Sequence, residues 1–402
     1  MNVRVLDITE STVQKEFKRL GVHREGMRRM LPKSRFFVVR VDSINARQAN
    51  VIKQEMLAAG GDAAVPYGAL NFEPGPLNVI LLGTLKHYER FVEKMKIQPF
   101  GLDVLARKLV DALRNFRFPP QKLSTARAEI DLCRPLVVGI LNVTPDSFFD
   151  GGKYFDFEKA IMRAEQMVEE GADIIDVGGQ SSRPGSSPVS EDEEKMRVLP
   201  VIGELSKRLK IPISCDTYRP GVARSAIEEG ATIINDIYAM RYEKEMADVI
   251  STARCAVVLM HMQGTPETMQ KNPQYSDVIG EIFSFFEERL EYALNCSIPF
   301  EKIIIDPGIG FGKLVEHNLE IIQRLREFTT LGRPIMLGVS RKMFLGRIAG
   351  NVGPEARMPP GIAACVAGYL KGAQLFRVHD VKEMRMALDA AAAIENYENT
   401  CS

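Results

Sequence analysis

The chain has 402 residues, 45% of them hydrophobic and 26% charged, with 52 basic and 52 acidic side chains and a formal net charge of zero. This composition excludes a disordered chain and supplies apolar mass for one large domain plus a smaller one. The charge balance argues against bulk attraction to nucleic acid or to an anionic membrane.

Charge is uneven along the chain. Residues 1–120 carry 20 basic and 12 acidic groups, a surplus of +8 that the remainder cancels, and a solvated mixed-charge face is the simplest account of it. The six cysteines (Cys133, Cys215, Cys255, Cys296, Cys365, Cys401) form no CxxC pair, so neither a disulfide framework nor a thiolate metal site is expected. The start, MNVRVLDITESTVQKEF, lacks the apolar core of a signal peptide, and no apolar run reaches the ~20 residues of a membrane span. A cytoplasmic, unexported protein is the expectation.

In chain order, residues 1–33 read as charged helix and SRFFVVRVDSI as a strand. NARQANVIKQEMLAAGG reads as an amphipathic helix stopped by glycine, LNVILLGT as a strand, and LKHYERFVEKM and GLDVLARKLVDALRNF as helices. That is a small α/β domain over 1–120. Residues 121–134, in a stretch rich in proline and polar residues, read as a linker. From 135 to 402 short apolar runs alternate with helical segments: LVVGILNV, ADIIDVGG, IPISCDT, TIINDI, CAVVLMH, KIIIDPG, PIMLGVS and QLFRVHD. Continuous apolar strands joined by helices require a parallel sheet buried on both faces. Eight repeats over roughly 270 residues match a (β/α)8 TIM barrel, usually about 250 residues long; an open doubly wound sheet is the alternative.

Every run ends in polar residues: Asn142, Asp176, Asp216, Asn235 with Asp236, His261, Asp306, Ser340 and His379. One such residue is an ordinary turn former at a strand terminus. Eight in eight, at the end of a barrel where active sites lie, predict a ligand-binding mouth. Carboxylates and amides suit a ligand with many N–H donors, such as an aminopyrimidine-like heterocycle. Arg341 and Lys342, then Arg377 and His379, follow the last two strands, where this fold commonly holds phosphate. The residues therefore predict a planar, donor-rich group bearing phosphate.

Other motifs carry less. DPGIGFGK lacks the spacing of a phosphate-binding P-loop and has Leu314 after Lys313, so it reads as a tight loop passing close over the mouth. The five histidines lack zinc-ligand spacing, and Mg2+, held by one or two oxygens plus ligand phosphates, is the expected metal. Met260 and Met262 suit packing as well as ligand contact.

GILNVTPDSFFDGG, ADIIDVGGQSSRPGS, SCDTYRPGVA, IINDI, VVLMHMQGTP, IIIDPGIGFGK, GVSRK and FRVHDV resemble, in order, the motifs of dihydropteroate synthases across nearly all of 136–382. The resemblance implies condensation of 6-hydroxymethyl-7,8-dihydropterin diphosphate with p-aminobenzoate to give 7,8-dihydropteroate and diphosphate, in folate biosynthesis. It also implies a homodimer and a sulfonamide target. Carried over position by position, Asp176, Asp216, Asn235, Met260, Asp306 and Lys342 would hold the pterin, with Asp216, Asp306 and Lys342 catalytic. Phe148, Ser182, Arg183, Pro184 and Ser340 would hold p-aminobenzoate. Asn142, Arg377 and His379 would hold the diphosphate, with Asn142 also ligating Mg2+.

Two departures stand out. Gln180, Ser181 and Ser182 replace the family's usual EST, and Phe149 stands in FFDGG where FSDGG is common, which bears on loop closure and p-aminobenzoate affinity. Two alternatives remain: a corrinoid-linked methyltetrahydrofolate methyltransferase, a similar pterin-binding barrel whose family lacks the SRK and RVHDV set and has no use for a diphosphate site, and a pterin-binding protein without turnover. Residues 1–120 match no part of the family motifs and read as a structural or oligomerisation domain.

Overall fold

A computed structural model describes residues 1–6, 9–144, 153–180 and 189–396. The chain divides into two compact units, Met1–Leu113 and Arg114–Ser402. Among the described residues no helix is long and apolar enough to cross a membrane.

The first unit is built on a three-stranded antiparallel sheet, β1 (Phe36–Ile44), β2 (Asp62–Ala64) and β3 (Leu77–Thr84), in the order β1-β3-β2. Helix Ala46–Ala59 starts at an Asn45–Gln48 capping box and stops at Gly60, whose φ of 95° few other residues adopt. Phe37, Ile52, Met56, Leu81 and Phe91 are buried. The buried Tyr88 donates its hydroxyl toward Phe37 O (3.2 Å) and Leu81 O (2.9 Å), tying its helix to two strands. The α/β reading of this region is what the structure shows, except that β2, only three residues of Asp-Ala-Ala, has no periodicity to betray it.

The second unit begins earlier than the sequence suggests, within the last turns of helix Leu102–Arg117. The stretch 121–134, expected as a linker, is instead a hairpin of β4 (Lys122–Ser124) and β5 (Glu129–Asp131). Its Leu123 and Leu132 join the inner core of the barrel beside Leu136, Ile174, Ile304 and Leu375, so the hairpin plugs the amino-terminal end. Strands of three residues carry too little alternation to distinguish a plug from a tether.

Eight parallel strands follow: β6 (Leu136–Asn142), β7 (Ile174–Gly178), β8 (Ile213–Asp216), β9 (Ile233–Asp236), β10 (Ala256–Met260), β11 (Ile303–Asp306), β12 (Met336–Leu337) and β13 (Leu375–Val378). Their order is β11-β10-β9-β8-β7-β6-β13-β12, and a parallel bridge between Ile305 and Ile335 closes the circle. This is the (β/α)8 barrel. Helices between the strands cover the outside; the one at Glu191–Arg208 has Ser190 as its cap, four acidic residues in its first turn and Lys207 and Arg208 in its last, the arrangement a helix dipole favours.

Because successive strand residues point to opposite faces, two cores form. One set, including Val177, Cys215, Ile234, Val257, Ile305 and Phe376, packs outward against the helices. The other, including Val138, Ile174, Ile233, Val258, Ile304 and Leu375, fills the interior together with the hairpin leucines. Leu123 is fully buried. Leu123→Ala is therefore expected to destabilise the barrel by about 3 kcal/mol through lost burial and an unfilled cavity, read as a lower urea midpoint at unchanged m.

Candidate active site

The inner face is largely apolar at the floor, and on five of the strands a polar side chain stands two residues later. Ile174 is followed inward by Asp176, Ser214 by Asp216, Ile233 by Asn235, Val258 by Met260, Ile304 by Asp306 and Leu375 by Arg377. The alternation that buries the floor thus delivers five polar side chains to one rim.

Arg377 ties that rim together. Its Nε donates to Asp176 Oδ2 (2.6 Å) and its Nη2 to Asp216 Oδ2 (2.7 Å), while Asn235 Nδ2 donates to the same Asp176 oxygen at 3.1 Å. Three of the five guanidinium N–H bonds remain for other acceptors. Asp176 is 1% exposed, and its Oδ1 is buried without a hydrogen-bond partner among the described residues. A buried acceptor left empty costs stability unless something donates to it, so this oxygen awaits a donor. Burial pushes the Asp216 carboxyl up to about 7, against the pull of Arg377 and helped by the charges of Asp176 and Glu194.

On the β11 side Asp306 accepts from Gly308 N at 2.7 Å through Oδ1, leaving Oδ2 without a donor among the described residues. Burial raises its pKa, opposed by that hydrogen bond and by Lys342. Lys342 rests its ammonium 4.1 Å from the centre of the Phe311 ring, and burial pulls it down to about 8, with Asp306 pulling the other way. A point one bond off Gly178 Cα lies 3.8 Å from both Asn142 Oδ1 and Asp216 Oδ2, which places those two side chains together. Ser340 Oγ lies 3.0 Å from His379 Nδ1 and accepts from His379 N at 3.2 Å.

Three residues expected at the mouth do other work. Asp236 accepts from Tyr238 N and Met240 N (2.8 and 2.6 Å) and caps its own turn. His261 bonds Lys313 (3.0 Å). Each stands one position beyond an inward residue, so alternation turns it away. Arg341 has φ 58° and makes a two-pronged ion pair with Asp380 (2.6 and 3.2 Å).

Phe148, Ser182, Arg183 and Pro184, and with them Phe149, lie outside the described residues. The ends of the second of those segments are held by side chains that the motifs did not single out. Arg197 donates to Gly179 O (2.8 Å), and Arg219 donates to Val189 O (2.5 Å) while pairing with the buried Glu194. Gln180 donates to Tyr218 Oη at 3.3 Å.

Comparison with known proteins now decides the family. The family model described as "Pterin binding enzyme" matches residues 138–379. The chain belongs to the pterin-binding enzyme family. It is 43% identical over 279 residues to the dihydropteroate synthase of Escherichia coli K12, spanning 68% of this chain and 98% of that one. A Xanthomonas albilineans dihydropteroate synthase structure with 4-aminobenzoic acid superposes with a TM-score of 0.65 at 40% identity, covering 68% of this chain and 98% of the other. A Halobacterium salinarum protein named "Probable bifunctional folylpolyglutamate synthase/dihydropteroate synthase" is 37% identical over 377 residues, 94% of this chain and 45% of its own length. The unaligned 6% is smaller than the first unit, so that likeness runs into residues 1–113.

The electrostatics of this family member's rim make a stability prediction. A carboxyl raised to about 7 in the folded state binds its proton more tightly there than in the unfolded chain. Asp216 therefore contributes stability below about pH 4 that is lost as pH rises to about 7. Asp216→Asn, which cannot ionise, is expected to gain on the wild-type protein between pH 4 and 8 by on the order of 3 kcal/mol, measured by urea unfolding across that range.

Proposed function

We infer that the barrel mouth performs the dihydropteroate synthase reaction, joining the amine of p-aminobenzoate to the methylene of 6-hydroxymethyl-7,8-dihydropterin diphosphate. The observation that carries the reading is the set of unfilled acceptors, Asp176 Oδ1 and Asp306 Oδ2, beside the fixed cations Arg377 and Lys342 on one rim. A pterin offers an amino group and ring N–H bonds to the first pair and carbonyl and ring-nitrogen acceptors to Lys342. Asn235, with one of its two amide N–H bonds on Asp176, has its oxygen and its second N–H left for the same ring.

In the reaction the methylene C–O bond breaks with its electron pair leaving on diphosphate, the new C–N bond forms from the aryl amine lone pair, and the amine proton is released. Positive charge that grows on the pterin methylene is stabilised by the Asp216 carboxylate, a preorganised charge in a water-poor site. The departing anion is received by His379 and by the N–H bonds that Arg377 does not spend on the carboxylates. Met260 supplies an apolar side wall, and Ser340 stands at the edge assigned to p-aminobenzoate. Phe148, Ser182, Arg183 and Pro184 complete that second pocket in this proposal.

Magnesium fits the donor set. Among the described residues no three His, Cys, Asp or Glu side chains gather as a metal site, and the Asn142 amide makes no hydrogen bond to another described residue. A hard cation that takes one protein oxygen and fills its shell with diphosphate oxygens and water needs no more. When bound it neutralises charge on the leaving diphosphate.

The first unit is proposed as non-catalytic. Its chemistry-bearing side chains serve the fold: His87 Nδ1 accepts from Thr84 N at the start of its helix, and Tyr88 is buried on strand carbonyls.

Purified protein given both substrates and Mg2+ is expected to release diphosphate only when p-aminobenzoate is present. Binding of the pterin substrate without such release would support a pterin-binding protein and overturn the synthase reading. Chelation should stop release, and added Mg2+ should restore it. Asp216→Ala is expected to lower kcat by about a hundredfold while changing pterin affinity only a few-fold; equal losses in both would remove its cation-stabilising role.

A further inference from the structure

Lys313, the last residue of DPGIGFGK, is 3% exposed, and no acidic side chain among the described residues pairs with it. Its ammonium is carried by neutral acceptors: His261 Nδ1 at 3.0 Å, Phe311 O at 3.0 Å and His261 O at 3.4 Å. Burial pulls its pKa down to about 7, with Asp306 opposing and Lys342 adding to the fall. A lysine kept in such a place is costly unless it holds something in position.

What it holds is the junction of two loops at the mouth. His261 N donates to Asp306 O at 2.9 Å where β10 and β11 end. Gly308 (φ 67°) and Gly312 (φ 61°) lie so close to His261 O and Gln263 O that a side chain at either glycine would collide with backbone. The glycine-rich loop thus passes backbone against backbone over the β10 loop, the close approach read from the sequence. Gln270 Nε2 and Tyr275 Oη hold Gly310 O and Gly312 O (2.8 and 2.9 Å). Between those tethers stands Phe311, whose carbonyl accepts from Lys313 and whose ring lies under the Lys342 ammonium.

We propose that Lys313 is a positioning residue for the pterin pocket: by clamping Phe311 to His261 it fixes the platform on which Lys342 stands. It touches no substrate. The ring of a buried His261 accepts from this ammonium only as the neutral tautomer with its proton on Nε2, and burial with Lys313 and Arg241 nearby drives its pKa down, which keeps that state. This inference rests on the assignment of Lys342 to the pterin.

The test is steady-state kinetics of the full chain. Lys313→Met is expected to raise KM for the pterin diphosphate about tenfold, with kcat and KM for p-aminobenzoate within about threefold. His261→Phe, which keeps the ring and loses the acceptor, should reproduce that pattern, and the double variant should be no worse than either single one. His261→Gln, with an oxygen to accept, should restore much of the affinity. A general loss of kcat and both KM values together, or unchanged kinetics in Lys313→Met and His261→Phe, overturns the proposal. Lys342→Met is the control. If it raises pterin KM while Lys313→Met does not, the positioning role alone falls; if it leaves pterin KM unchanged, the pocket assignment falls and the inference with it.

Discussion

The site depends on one guanidinium placed between two carboxylates. Asp176 and Asp216 stand on neighbouring strands with their side chains turned into a nearly closed cylinder, where two uncompensated negative charges would be prohibitive. Arg377 on β13 answers both at once; burial works to lower its pKa, and the charges of Asp176 and Asp216 overcome that and raise it further. Since it is itself held by two anions, it cannot swing away, so its remaining N–H bonds point in a fixed direction. The same contact that offsets the two buried carboxylates also leaves N–H bonds placed to receive an anion.

How much of this was legible follows from where the physics is local. The eight apolar runs are buried on both faces, so they stand out as continuous stretches, and the polar residue closing each one marked the mouth without any alignment. Sorting those residues needed the alternation phase. Asn235 and Asp236 look equivalent in IIND, yet Ile233 fixes Asn235 as inward and sends Asp236 to cap a turn. Arg341 was indistinguishable from Lys342 until Asp380 was seen to pair with it. Contacts between distant segments left no trace at all: Arg219 reaching Glu194 and Val189, or Lys313 reaching back to His261, are set by tertiary packing rather than by any period in the chain.

The hairpin at the barrel floor shows the same limit from the other side. Lys122–Ser124 and Glu129–Asp131 are too short and too polar to read as strands, and their neighbourhood of prolines favours the reading of a tether. Leu123, and Leu132 just after the second strand, nevertheless finish the interior core. A barrel floor needs a cover because floor residues otherwise meet water, and a few apolar residues on a short hairpin suffice. The second unit starts earlier still, because Asn115 donates to Thr330 O and Phe116 lies under Arg326.

Layering within the barrel also separates the two halves of a charged ligand. Successive inward residues on a strand rise by about 6–7 Å, so β13 presents Leu375, then Arg377, then the position of His379, and the β12 line runs from Met336 through Gly338 to Ser340. Low in the mouth, Asp176, Asp216 and Asp306 face Arg377 and Lys342, a set of acceptors that suits a neutral, donor-rich ring, with the unspent N–H bonds of Arg377 left for an anion. Asn142, Ser340 and His379 bring no carboxylate of their own, and Asn142 shares the register of Gly178 and Asp216. On the proposed reaction, a pterin diphosphate entering ring first would meet the carboxylates with its N–H edge and leave its phosphates toward these residues and Arg377. In that proposal cleavage would send negative charge toward the free N–H bonds of Arg377 and leave positive charge facing Asp216, so the placing of donors beside the carboxylates would bias the direction in which the bond separates.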